Sequence, residues 1–196
     1  MNIELFSSGT TNKPKRISED WNNILASAKT IKDIYELKKE DVVLNCFDPK
    51  RELGFWITFA SCLLTECEMI MEYRNDVTVV AGYGFNIKQY IKGDKLKRVV
   101  IAKGTAGGII IPKGIKMNEI YGSTEYGKAW TTCDDVSQGY HIDDGKFFED
   151  NGLLYYNKIT VRDYGTLTSE PCPACGFKGQ RVGYKITRGE KPQMCG

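Results

Sequence analysis

A chain of 196 residues corresponds to about one domain, two at most, with enough length to bury a substantial core, which excludes a multi-domain machine. Apolar residues at 41% and charged residues at 27% exclude a disordered chain, and the longest uncharged apolar stretch, Gly54 to Thr65, is too short to span a membrane. With 27 Lys plus Arg against 25 Asp plus Glu, the net charge of +2 provides no bulk attraction for nucleic acid or anionic lipid.

The N-terminus has neither a positive n-region nor an apolar h-region, which predicts a cytoplasmic location. An odd count of seven cysteines in a reducing compartment points to free thiols or metal ligands rather than disulfides. From Ile17 onward, Trp21, Ile24, Leu25, Ala28, Ile31, Ile34 and Tyr35 recur at helical spacing, with Ser18 as N-cap and Glu19 and Asp20 in the first turn. Val42 to Phe47 reads as a buried strand, Glu52 to Glu66 as a largely buried helix and Glu68 to Tyr73 as the next strand. Two further strands, Val77 to Val80 and Arg98 to Ala102, flank a weak helical stretch from Phe85 to Ile91. The charge run Lys92 to Arg98 reads as a solvated turn. Beyond Tyr121, short strands alternate with the turn signals Asp143-Asp144-Gly145 and Asp150-Asn151-Gly152, which predicts a meander or a pair of hairpins. The fold class is therefore α/β: a layered sheet-and-helix core over residues 1–130, then a small β-rich part with a Cys-rich tail over residues 131–196.

Two segments carry candidate chemistry. The opening, Phe6-Ser7-Ser8-Gly9-Thr10-Thr11-Asn12-Lys13-Pro14-Lys15, supplies hydroxyls, bare N–H groups, a glycine and two lysines directly before a predicted helix, a composition suited to a polyphosphate. The spacing of a P-loop NTPase is absent, and a flexible polar terminus is the alternative. Tyr121-Gly122-Ser123-Thr124-Glu125 follows the strand-like Asn118 to Ile120 and would lie at a strand's carboxyl end, where open α/β sheets bind ligands. There Glu125 suits a hard cation and Tyr121 a stacked base, although a plain turn has the same composition.

Taken together these segments have a family resemblance. Ser7 to Lys15 resembles the phosphate loop S-S-G-T-T-G-x-P-K of the AMP-forming acyl and aryl adenylating enzymes, and Tyr121 to Glu125 resembles their Y-G-x-T-E motif. Val161-Arg162-Asp163-Tyr164-Gly165 is similar to the family's T-G-D-L-G, and Ala102 to Gly108 stands where the family has a glycine-containing loop against adenine. The tail from Glu170 to Gly176, leading to Gln180-Arg181-Val182, is most similar to the phenylacetate–CoA ligase and acyl-protein synthetase branches. Asn12 replaces the family's glycine, and Val161-Arg162 replace Thr-Gly, leaving Asp163 as the firm match of the third motif.

The resemblance implies an adenylate-forming N-terminal domain that binds Mg·ATP (or AMP) and activates a small carboxylic acid as acyl-AMP, for transfer to CoA, a carrier protein or an amine. It implies that Ser7, Ser8, Gly9, Thr10, Thr11, Lys13 and Lys15 cradle the β- and γ-phosphates, with Lys15 catalytic. Gly104, Tyr121, Gly122 and Ser123 would contact the nucleotide, Thr124 the α-phosphate, Glu125 the Mg²⁺ and Asp163 the ribose hydroxyls. Family members also carry an N-terminal subdomain and a C-terminal lid with an essential lysine, so the resemblance implies a truncated member that lacks the lid. The expectation is a minimal ligase in which a partner protein or homo-oligomer completes the site, covering apolar surface near the Gly54 to Leu64 helix. The alternative is an adenylate-binding or assembly protein without turnover, or a zinc-stabilised interaction module.

The spacing Cys172-Pro173-Ala174-Cys175-Gly176 has the shape of a zinc-ribbon knuckle, with Cys195 as a third expected ligand. Cys133, the single histidine His141 or a second chain remain open as the fourth, against a knuckle that holds no metal. Cys46, Cys62 and Cys67 read as core packing. A lone histidine is more often structural than catalytic.

Overall fold

The hydroxyl- and lysine-rich opening joins two strands instead of leading directly into a helix. The computed structural model describes residues 1–7, 15–123, 127–157, 159–183 and 185–188. Strands β1 (Asn2–Ser7) and β2 (Lys15–Asp20) pair antiparallel, from Asn2 opposite Asp20 to Ser7 opposite Lys15. Because this ladder engages Ser18, Glu19 and Asp20, the helix begins later than its periodicity suggests. Helix α1 spans Trp21–Ile34 and is capped by Asp20, not Ser18; the Asp20 carboxylate accepts from the N–H of Asn22 at 3.0 Å. Ile24, Ala28 and Ile31 form its buried stripe.

The β-branched runs around Val43, Val79 and Val100 form parallel strands buried on both faces, as their lack of polar alternation requires. In chain order the elements are β3 (Val42–Asn45), helix α2 (Leu53–Thr65), the partly exposed edge strand β4 (Glu68–Ile70) and β5 (Val79–Gly82). A short helix α3 (Gly84–Ile87), continued by a 3₁₀ turn (Lys88–Tyr90), occupies the weak helical stretch expected at Phe85 to Ile91, and β6 (Arg98–Ala102) and β7 (Lys116–Ser123) complete the parallel set. Helices α1 and α2 cover one face, where Ile57 and Ala60 pack with Val43, Val79, Ala81 and Val100. On the other face Leu44, Val80, Val99 and Ile101 pack with Ile87 and with Ile109 and Ile111 of the β6–β7 connection. The run Lys92 to Arg98 is not wholly solvated: Arg98 opens β6 at 2% exposure and pairs with Asp134 at 2.6 Å. Leu63 and Leu64 of α2 are exposed.

β7 turns back into the antiparallel β8 (Lys128–Thr132), and β9 (Tyr140–Ile142) pairs with β8. β10 (Phe147–Asp150), β11 (Leu153–Tyr156) and β12 (Ile159–Tyr164) then form a second sheet. β13 (Leu167–Thr168) and β14 (Gln180–Val182) return to the large sheet beside β9, and β15 (Thr187–Arg188) pairs with β12. The large sheet thus has the order β13-β14-β9-β8-β7-β6-β5-β3-β4, and the small one β10-β11-β12-β15. Residue 130 lies inside β8, and the large sheet continues through it.

Of the two turn signals, only Asn151-Gly152 closes a tight hairpin. Asp150 faces Leu153, and both loop residues have positive φ (51° and 81°), the geometry whose twist matches the flanking strands. The Asp143-Asp144-Gly145 turn instead carries the chain from one sheet to the other. The sheets pack through an aromatic cluster in which Trp130 meets Phe147 at 4.8 Å and Tyr156 at 5.0 Å between ring centroids.

Candidate functional site

The carboxyl ends of β3, β5, β6 and β7 lie along one edge of the sheet, and they present Cys46, Tyr83, Lys103 and Tyr121 to Ser123 there. The β1–β2 ribbon is tied to this edge at both ends. The N–H of Phe6 donates to the Lys50 carbonyl beyond β3 at 2.9 Å. Glu19 of β2 lies so close to Gly127 in the β7–β8 turn that a Cβ there would stand 1.9 Å from its Oε2. The two motif-bearing connections, 8–14 and 124–126, therefore spring from hairpins in mutual contact. Ser8, Gly9, Thr10, Thr11, Lys13, Thr124 and Glu125 themselves lie outside the described residues, as does Cys195. Of Ser7, Lys15 and Ser123 the backbone is placed, at the ends of β1, β2 and β7.

Tyr121 and Gly122 stand within β7, not in a turn after it. Gly122 is dictated by strand packing, since a Cβ would lie 2.6 Å from that of Ala129 on β8. Tyr121 is 7% exposed, packs against Trp130 and Tyr140, and has the Lys103 ammonium 5.1 Å over its ring. Its hydroxyl donates to Asp163 Oδ2 at 2.7 Å, so two residues named from separate motifs meet across the two sheets. Next to this pair, Tyr140 donates to the buried Glu119 at 2.8 Å. Gly104 follows β6 with φ +77°, and no atom lies within 4 Å of where its Cβ would be. The adjoining turn is anchored by Thr105, whose Oγ1 donates to the Ala102 carbonyl at 2.7 Å and accepts from the Gly84 N–H at 2.9 Å. The backbone at this edge is thus fixed while Gly104 faces open space.

Sequence reasoning missed the aromatic steps of this edge. Phe47 meets Tyr83 edge-on at 5.6 Å, and Tyr83 stacks on the exposed Phe85 at 5.5 Å. Burial, with the charge of Glu52, raises the Tyr83 hydroxyl above its ordinary range and keeps it neutral. Two aromatics beside Gly84 were the available signal. A cavity of about 370 Å³ at the opposite, amino edge is lined by Lys38, Lys97, Arg98 and Lys116. Three of those cations are already committed: Lys97 to Asp41, Arg98 to Asp134, and Lys116 to Glu36 and Asp134.

A second cluster forms where β8 ends. Cys133, His141, Cys172 and Cys175 place their ligand atoms within 4.8 Å of one another. Both residues left open as a fourth ligand converge with the knuckle cysteines. Burial holds His141 below the ordinary imidazole range.

No family model matches the sequence, and no curated protein does. Solved structures do match. A 2-hydroxyisobutyryl-CoA ligase, solved with 2-HIB-AMP and CoA, superposes with a TM-score of 0.71 at 12% identity over 93% of this chain and 51% of that one. The fold is that of the AMP-forming acyl-CoA ligases. An AMP-forming acyl-CoA synthetase/AMP-acid ligase II-like protein from Dyadobacter fermentans matches with a TM-score of 0.63 at 15% identity, over 92% of this chain and 59% of that one. E. coli MenE, bound to an analogue of OSB-AMS, matches at 0.63 and 14%, over 91% and 47%. The chain spans about half the length of these structures. Among the described residues, no helix is long and apolar enough to cross a membrane.

Proposed function

We propose that the chain binds Mg·ATP at the carboxyl edge and joins AMP to a small carboxylic acid, giving an acyl-adenylate and pyrophosphate. The observation that supports this reading most is the Tyr121–Asp163 hydrogen bond, in a fold shared with AMP-forming ligases. In this reading Asp163 accepts from the ribose hydroxyls, and Tyr121 both holds Asp163 and packs beside the adenine. The open space at Gly104 admits the purine. Ser7, Ser8, Gly9, Thr10, Thr11, Lys13 and Lys15 take the β- and γ-phosphates, Gly122, Ser123 and Thr124 approach the α-phosphate, and Glu125 holds Mg²⁺.

The acid's carboxylate oxygen attacks the α-phosphorus, and the bond to the bridging oxygen of pyrophosphate breaks. Such a step needs aligned reactants and fixed donors more than covalent chemistry by the protein. CoA, a carrier protein or an amine then receives the acyl group, and a partner or second copy resting on α2 completes the site. The test is pyrophosphate release from Mg·ATP across a panel of carboxylic acids, with and without candidate partner proteins. Acid-dependent release that disappears in Asp163→Ala supports the reading. Nucleotide binding without release under every condition reduces it to an adenylate-binding protein, and absence of both overturns it.

A further inference from the structure

We propose that Cys133, His141, Cys172 and Cys175 bind one zinc ion in a closed, structural Cys₃His site. Each observation that carries this is independent of the nucleotide edge. Zinc with thiolate bonds of about 2.3 Å and an imidazole bond of about 2.05 Å defines a tetrahedron with edges of about 3.8 Å between sulfurs and about 3.6 Å from sulfur to nitrogen. The Sγ atoms of Cys133 and Cys172 are 3.9 Å apart, and Cys175 Sγ is 3.5 Å from His141 Nε2. A disulfide would need about 2.05 Å, so the thiols are spaced for a shared ion and not for a bond to each other.

The surrounding groups are arranged for the same purpose. His141 Nδ1 lies 3.3 Å from the Thr131 carbonyl, which can only accept, so this nitrogen carries the proton and Nε2 keeps its lone pair toward Cys175. Phe177 packs edge-on against the imidazole at 4.7 Å and fixes the ring plane. At the knuckle, Gly176 supplies the left-handed turn (φ +77°) that folds the chain back over Cys172; its N–H donates to the Cys172 carbonyl at 2.8 Å, and the Cys172 N–H donates to the Phe177 carbonyl at 2.8 Å. Cys133, His141 and Cys172 are at most 3% exposed, leaving only Cys175 at the surface. Four protein ligands and so little access leave no open position for a reacting water, which separates a structural from a catalytic zinc.

The ion would join three places in the chain: the end of β8, the middle of β9 and the connection between β13 and β14. That connection leads out of a strand of only two residues, Leu167–Thr168, so few ladder bonds hold it. Zinc therefore takes the place of a longer strand in fixing the sheet's edge, and Cys195 is not required for a four-coordinate set.

The test measures zinc in protein purified without chelator, with X-ray absorption at the zinc edge of the wild-type chain. Close to one zinc per chain, in a shell of three sulfurs and one imidazole nitrogen, is expected. Cys175→Ser, the exposed ligand and the mildest change, should lose most of the zinc, while Cys195→Ser should keep all of it. Cobalt substitution should give the intense visible bands of a tetrahedral thiolate site. Wild-type protein that neither carries zinc nor binds cobalt overturns the proposal. So does a shell of other composition, or loss of zinc in Cys195→Ser with retention in Cys175→Ser.

Discussion

The hydroxyl of Tyr121 on β7 and the carboxylate of Asp163 on β12 meet at 2.7 Å, and this bond links the nine-stranded sheet to the four-stranded one. Both residues are largely buried, so the hydrogen bond is made where water does not compete.

Tyr121→Phe keeps the ring but removes the donor. It leaves Asp163 short of a partner, at an expected cost of about 1–3 kcal/mol. Urea unfolding should show a lower midpoint with an unchanged slope. The thermal shift given by AMP should shrink in the same variant. An unchanged midpoint would separate Tyr121 from Asp163 energetically.

Gly84→Ala should be among the most damaging single changes at the carboxyl edge. Its Cβ would lie 1.8 Å from the Thr105 carbonyl oxygen, so the turn after β6 must move. A loss above about 2 kcal/mol is expected, together with weakened nucleotide binding, because Gly104 belongs to the displaced turn. Denaturant titration beside an AMP titration checks both parts.

Much of this edge is legible in the sequence because it rests on local rules. The β-branched runs around Val43, Val79 and Val100 have one buried solution, and the Asn151-Gly152 pair specifies its own turn. Ser18 misleads because strand pairing with Glu4 takes precedence over capping, a contact with no local signature. The Asp143-Asp144-Gly145 segment misleads for a related reason: Asp144 is consumed by Lys128 and Tyr156, and the chain changes sheets there. The convergence of Cys133 and His141 with the knuckle depends on β14 pairing with β9, which no spacing along the chain reveals.

Asp144 provides a pH dependence. Burial alone would raise its carboxyl, but the hydroxyl of Tyr156 at 2.6 Å and the ammonium of Lys128 at 2.9 Å outweigh burial and hold it below the ordinary value. The folded state thus binds this proton more weakly than the unfolded chain does. The stability it contributes is present above about pH 4 and is lost as pH falls through the lower folded value. Asp144→Asn should be less stable at neutral pH yet lose less on acidification. Urea midpoints measured from about pH 3 to pH 7 should converge toward the wild type at the acid end. Parallel curves would contradict this role.

The central claim is that the carboxyl edge receives an adenylate. Its most direct test is calorimetric titration of the chain with a stable acyl-sulfamoyl adenosine, which presents ribose, purine and acyl group together. Saturable heat at one site is expected, with affinity reduced at least tenfold in Asp163→Ala, equivalent to about 1.4 kcal/mol. Unchanged affinity in that variant, or no heat with the wild-type chain, would contradict the claim.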